Sequence, residues 1–124
     1  MSVPENRQQA DEELLSLVGP QVDANTPSVA RCYDYLLGGK NNFEVDRQVV
    51  DAIVEDWPGV VPLAKHNRAF LRRAIRFLVG ECGITQILDI GSGLPTEGNV
   101  HEIAHEVNPE VQVVYVDIDP LVLA

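Results

Sequence analysis

Apolar positions along this chain change their rhythm near residue 80. Before that point they recur three and four apart, the period of a helix face. Beyond it they come in short runs, the habit of buried strands. Leu14, Leu15 and Val18 share a face, so a short helix is predicted over Ala10–Val18, stopped by Gly19-Pro20. The polar stretch Met1–Gln9 reads as a frayed tail. Val29, Tyr33, Leu36 and Leu37 predict a second helix, with Thr26 as cap, Pro27 in the first turn and Gly38-Gly39 at its end. A third, about Phe43–Asp56, has Asn42 as cap, turns Val45, Val49, Ile53 and Val54 inward, and breaks at Pro58-Gly59. Trp57 reads as a packing residue. A long fourth helix over Val60–Val79 has Leu63, Phe70, Leu71, Ala74, Ile75 and Leu78 on its apolar side.

The rest reads as strand, glycine turn, helix, strand. Ile87, Leu88 and Ile90 form the first strand, and Gly91-Ser92-Gly93 turns the chain. A helix of about Gly98–Val107 is closed by Asn108-Pro109, and Val111–Val116 is the second strand. The fold class is therefore α/β: a tail and short helix over 1–25, a helical cap region over 26–80, and a first βαβ unit over 81–124. Asp119-Pro120 opens a helix at Leu121–Ala124 that has no room to finish. Two parallel strands with one crossover leave both sheet edges open and much apolar surface uncovered. The expectation is an incomplete βαβ unit, the N-terminal part of a longer fold.

Ligands of open α/β sheets bind beyond the carboxyl ends of the strands, where an acid can hold a ribose. Asp117 stands at that end of the second strand. The dinucleotide fingerprint Gly-x-Gly-x-x-Gly is incomplete, because Thr96 occupies the third glycine position. Asp117 also lies further from the turn than the roughly 20 positions of the generic unit. Asp89, just before the turn, is an acid where dinucleotide folds prefer an apolar residue. A carboxylate there suits a cationic ligand group, such as the amino group of S-adenosylmethionine. Asp89, Gly91, Ser92, Gly93, Asp117 and Ile118 are the candidate binding residues, with Ile118 lying on an adenine.

Three strings are long and unusual: PSVARCYDYLLGGKNNFEVDRQ (27–48), KHNRAFLRRAIRFL (65–78), and QILDIGSGLPTEGNVHEIA with VVYVDIDPLVLA. They resemble a family of bacterial S-adenosylmethionine-dependent methyltransferases, common in actinomycete-type genomes and once catalogued as a domain of unknown function. The resemblance runs from about Thr26 to Ala124. It implies a class I, Rossmann-like methyltransferase fold, of which this chain holds the N-terminal helices and first βαβ unit. It also implies that Asp89, Gly91 and Gly93 line the methionine end of the cofactor and that Asp117 takes the ribose. It implies no methyl acceptor. Pro95 departs from the usual last glycine of such loops. The chain alone is expected to lack turnover, since later strands carry most acceptor-side residues. Two other readings stay open: a cofactor-binding module without catalysis, and a chain acting on a partner through its helical face.

Composition narrows the partners. The 124 residues carry a net charge of −10, with 45% apolar and 23% charged residues. That acidic balance argues against nucleic acid, whose binding needs Lys and Arg to displace counterions. Cys32 and Cys82 show no CxxC spacing, and two free thiols fit a reducing cytoplasm. No leader is visible, and no apolar run approaches the ~20 residues of a membrane span.

Three further strings remain. YDYLLGGKNNF places two tyrosines, a glycine pair, a lysine and two amides at a helix end, a plausible lid; Tyr33, Lys40, Asn41 and Asn42 are candidates to touch cofactor or substrate. The bland reading of Gly38-Gly39 is a helix stop. Lys65, Arg68, Arg72 and Arg76 stripe one side of the fourth helix, as either an anion-binding face or a solvated face paired with acids. His101-Glu102-Ile103-Ala104-His105 spells HExxH, the zinc-protease signature. Asn108 and Val111 stand where the extended pattern needs Gly and His, so no third ligand is evident. No metal is expected, and a solvated helix is the plainer account.

Overall fold

The computed structural model describes residues 3–18, 20–95 and 98–122. Four helices come first: α1 (Val3–Leu17), α2 (Val29–Leu36), α3 (Glu44–Asp56) and α4 (Val60–Gly80). Strand β1 (Gln86–Ile90), helix α5 (Val100–Val107) and strand β2 (Gln112–Val116) follow. The strands pair in parallel, Gln86 opposite Gln112 and Ile90 opposite Val116, so α5 is the crossover. Asn99 caps α5, and its backbone N–H donates to Glu102 at 2.8 Å.

Two apolar clusters hold the elements. Ile75 and Val79 of α4 meet Val100, Ile103 and Ala104 of α5 and Val111, with Ile87, Val113 and Tyr115 of the sheet packed against them. The second cluster joins the N-terminal region to the strand ends: Val22, Phe43, Leu94 and Leu121, with Leu14, Val18, Ala30 and Val45 beside them. Among the described residues only one face of the sheet is covered. Leu88 and Ile90 remain 60% and 74% exposed, and Val114 and Val116 57% and 44%. The uncovered apolar surface anticipated from two strands is therefore on the outer sheet face. Among the described residues no helix is long and apolar enough to cross a membrane.

Several local expectations change. α1 begins at Val3, so residues 3–9 are helical where a frayed tail was predicted. Glu5, Arg7, Gln8 and Gln9 favour helix, and Pro4 falls in the first turn, where its missing N–H is not needed. Leu15 faces out at 45% exposure while Leu14 and Val18 pack inward; the stop at Gly19 lies outside the described residues. The cap of α2 is Ser28, whose side chain accepts from the Arg31 N–H, and not Thr26. Helix α3 starts one residue beyond Phe43, whose N–H is capped by Asp46 reaching back at 2.8 Å; Asn42 is not the cap. Val50 is the buried apolar residue of α3, whereas Val49 and Ile53 are substantially exposed. On α4 the buried positions are Ala64, Ile75 and Val79, and Leu63, Phe70 and Leu78 face outward. Trp57 is 54% exposed and lies over Gly59 rather than in a core. Leu121 and Val122 form a turn, with Leu123 and Ala124, like Thr96, outside the described residues.

The inward face of α2 is charged, not apolar. Val29 is 88% exposed, while Arg31 and Asp34 are buried. Arg31 donates through Nε to Asp46 at 2.8 Å and through a terminal nitrogen to the Thr26 carbonyl, and it lies over the Phe43 ring. Asp46, fully buried, also accepts from the Ser28 N–H at 2.9 Å. Arg47 closes on Asp11 of α1 at 2.9 Å and on Glu44 at 3.0 Å. A buried ion pair holds only when its remaining hydrogen-bonding capacity is met, as it is here.

Candidate functional site

The glycine turn folds over the end of β2. The Gly91 N–H donates to the Val116 carbonyl at 2.7 Å, and the Ser92 N–H to the same oxygen at 3.3 Å. Gly91 and Gly93 have φ of +72° and +70°, the left-handed region that side chains disfavour. Among the described residues a Cβ at either position would meet nothing within 4 Å, so the requirement is conformational. Asp117 fixes the turn from the other strand. Its Oδ2 accepts from the Gly93 N–H at 2.8 Å and its Oδ1 from the Asp119 N–H at 2.9 Å. The Asp119 N–H, then those of Gly93 and Ile118, hold this carboxyl below the usual range. Each oxygen accepts one of these hydrogen bonds and has capacity for a further one.

The opposite wall comes from the start of α2. Ser28 donates its hydroxyl to the Asp119 carboxylate, whose other oxygen accepts from the Leu121 N–H at 2.9 Å. The same Ser28 is anchored through its N–H to Asp46, so the buried network sets this wall. Between the walls lies an open cleft of about 740 Å³, lined by Val22, Tyr33, Gly91, Gly93, Asp117 and Ile118 among others. Ile118 is 99% exposed, an uncovered apolar surface beside the carboxylate.

Asp89 is not in this cleft. It lines a smaller cavity of about 110 Å³ with Ser92, Gly93, Arg68, His101 and Tyr115. A single pocket flanked by both carboxylates is therefore not what the fold builds: Asp89 lies within β1 on its helix-covered side, Asp117 lies past the end of β2 with its carboxyl held by the Gly93 and Asp119 N–H groups, and the two cavities meet at Gly93. Burial pushes Asp89 up; the Arg68 charge opposes this, and Asp117 adds to it. Ser92 Oγ is buried in the same place and has no hydrogen-bond partner among the described residues. An orphaned hydroxyl beside a carboxylate short of solvation is a polar site wanting a donor.

A family model described as S-adenosyl methyltransferase matches residues 17–124. The chain belongs to the S-adenosyl methyltransferase family. Its fold is similar to that of a candidate methyltransferase from Thermobifida fusca YX, solved at 1.95 Å, with TM-score 0.81 and 56% identity over 84% of this chain and 39% of that one. It is similar also to a DUF574 family protein from Streptomyces avermitilis MA-4680, with TM-score 0.81 and 46% identity over 83% of this chain and 39% of that one. The chain thus spans about two-fifths of the length of these structures. A comparison with curated proteins finds no match. The family's cofactor is S-adenosylmethionine, and the open cleft, free acceptor sites on Asp117 and bare turn fit its nucleoside half.

The remaining candidate positions divide between the cleft and its surroundings. Tyr33 lines it, its hydroxyl donating to the Ala64 carbonyl at 3.3 Å and accepting from Asn67 at 3.0 Å. Asn42 does not: it is buried, and its amide donates to Asp34 at 2.8 Å and to the Gly39 carbonyl at 3.1 Å. Asn41 donates its N–H to Asp34 at 2.9 Å. Lys40 lines a separate cavity of about 680 Å³ beside Lys65 and Arg68. In the basic stripe, Arg72 and Arg76 close on Glu106 at 2.9 and 2.5 Å, and Arg68 donates to the Gly98 carbonyl at 2.8 Å. The HExxH histidines serve local structure: His101 Nδ1 lies 2.7 Å from the Tyr115 hydroxyl, and His105 Nε2 lies 2.8 Å from the Val111 carbonyl. Among the described residues no group of three or more metal-ligating side chains converges.

The sequence reading missed Ser28, Asp46 and Asp119, which set the second wall. The available signal was Arg31 and Asp34 at helical spacing on one side of α2, together with an acid at the third position of α3.

Proposed function

We propose that this chain binds S-adenosylmethionine in the Asp117 cleft and is the cofactor-binding N-terminal portion of a methyltransferase. The observation that carries the reading is Asp117 itself. One carboxylate pins the glycine turn and still offers an acceptor site on each oxygen to the two hydroxyls of a ribose. Ile118 supplies an apolar surface for the adenine, and Tyr33 closes the far side. The smaller cavity, with room for only a few non-hydrogen atoms, suits the amino group of the methionine end. An ammonium there would compensate the half-buried Asp89, and its N–H groups would find Ser92 Oγ.

When bound, the cofactor supplies a methyl group on a sulfonium whose positive charge already activates the leaving group. What the protein contributes is orientation and exclusion of water. The Gly91–Gly93 backbone sets how closely the ligand approaches, and the Ser28–Asp119 contact fixes the width of the cleft. The described residues supply no evident base for an acceptor. The 124-residue chain alone is accordingly read as binding without turnover. A second reading, a non-catalytic module engaging a partner, draws support from the exposed outer sheet face of Leu88, Ile90, Val114 and Val116.

The test is calorimetric titration of the chain with S-adenosylhomocysteine. Saturable one-to-one binding that falls in Asp117→Ala is the expected result. Absence of binding by a folded chain overturns the assignment, and methyl transfer by the chain alone overturns the reading of inactivity.

A further inference from the structure

The chain contains two lysines, Lys40 and Lys65, and they are far apart in sequence. The fold brings both to the lining of one cavity of about 680 Å³, with Arg68 one helical turn from Lys65. This happens on a chain of net charge −10. Elsewhere four arginines are answered: Arg31 closes on Asp46, Arg47 on Asp11, and Arg72 and Arg76 on Glu106. Among the described residues neither lysine has an ion pair or a hydrogen bond. Among the described residues the one carboxylate in this wall, Asp34, is buried and already accepts from Asn41 and Asn42, and burial pushes it upward, toward its neutral form. The cavity is therefore locally cationic.

Its position is as informative as its charge. The nucleoside cleft shares Gly93 with the Asp89 cavity, and the Asp89 cavity shares Arg68 and Pro95 with the lysine cavity. Nucleoside site, methionine end and lysine cavity follow one another in that order around the glycine turn. We propose that the Lys40–Lys65–Arg68 cavity binds an anionic group, a carboxylate or phosphate, of the methyl acceptor. The substrate class is thus a small acidic molecule or an acidic residue rather than a neutral or cationic one. This rests on the cofactor reading above. Two point-charge ammonium groups on flexible stems suit an anion of variable shape, and Gly38, on the same wall, leaves open space beside them while Gly39 is packed on Asp34. The Gly38 φ is +83°, and no atom lies within 4 Å of a Cβ built there.

The chain labelled with ¹³Cε-lysine gives two lysine signals, which inorganic pyrophosphate is titrated against. Both signals should move on one saturable isotherm, and Lys40→Gln or Lys65→Gln should each weaken pyrophosphate binding roughly tenfold, the size of one charge-assisted hydrogen bond. Lys40→Arg and Lys65→Arg should restore most of it. Both lysines are exposed, so the variants are expected to fold, which circular dichroism checks. S-adenosylhomocysteine should bind alongside pyrophosphate with affinity unchanged in both Gln variants. No saturable shift, or Gln variants equal to the parent, overturns the site. Displacement of pyrophosphate by S-adenosylhomocysteine, with loss of its affinity in the Gln variants, assigns the lysines to the cofactor's own carboxylate and overturns the acceptor role. Pyrophosphate binding without any S-adenosylhomocysteine binding supports the anion site and overturns the cofactor reading instead.

Discussion

Replacing Asp117 by Ala removes a carboxylate with two jobs, and the structure lets them be separated. Toward the protein, Oδ2 holds the Gly93 N–H and Oδ1 the Asp119 N–H, at 2.8 and 2.9 Å. Toward the ligand, one acceptor site per oxygen remains, enough for two ribose hydroxyls. A hydrogen bond to a charged group contributes about 1.5–3 kcal/mol. Water competes in an open cleft, so the pair is worth about 3 kcal/mol at most, or roughly a hundredfold in Kd. Loosening of the turn would also weaken binding, and a ligand-side change distinguishes the two effects. Calorimetry compares S-adenosylhomocysteine with its 2′-deoxy analogue on the parent chain and on Asp117→Ala. If the carboxylate touches the ribose, removing the hydroxyl costs the parent roughly tenfold and the variant almost nothing, a non-additive cycle. Equal losses on both proteins would refute the contact and leave Asp117 as a turn anchor only.

Asp46→Ala should cost about 3–5 kcal/mol in urea unfolding, because Arg31 would be left buried without its partner; a loss under about 1 kcal/mol would show that the ion pair does not hold the helical cap. Asp89→Asn should stabilise the chain near neutral pH while weakening S-adenosylhomocysteine binding. Its folded-state pKa is raised by burial, so its stabilising share is present below the ordinary value near 3.9 and is lost as pH rises through the folded value. The variant's advantage should therefore vanish in acid, and a gain constant with pH would contradict the assignment. Gly39→Ala should destabilise by about 3 kcal/mol, since its Cβ would fall 2.1 Å from the anchored Asp34 Oδ1. Gly93→Ala, strained but unobstructed, should cost about 1–2 kcal/mol; thermal unfolding that reverses this order would refute the packing argument.

The βαβ unit was legible because its signals are local. A short apolar run, a glycine pair, an Asn-Pro stop and an acid at a strand end each act within a few residues, and β1, α5 and β2 lie close to where those signals place them. The α/β class, the family and its cofactor followed from the same strings. Helix faces were less legible. Val29 and Val49 carry the right spacing, yet α2 buries Arg31 and Asp34, and α3 buries Asp46 and Val50. Periodicity marks which residues share a face; it does not say whether a distant carboxylate will make a charged face the better one to bury. Capping showed the same limit, since Ser28 was selected over Thr26 by contacts with Asp46 and Asp119, which lie on other elements. What the amino-acid order determined by itself was the set of elements and the bare turn between two acids. Tertiary structure alone decided that Asp89 and Asp117 serve different cavities: alternation by itself would put them on one side, since Asp89 lies opposite Tyr115 and Asp117 two residues beyond it, but β2 ends at Val116 and the Gly93 and Asp119 N–H groups hold the Asp117 carboxyl at the cleft. It alone decided, too, that the two lysines meet, because the residues between them fold back as α3 and α4 and the sequence carries no measure of that return.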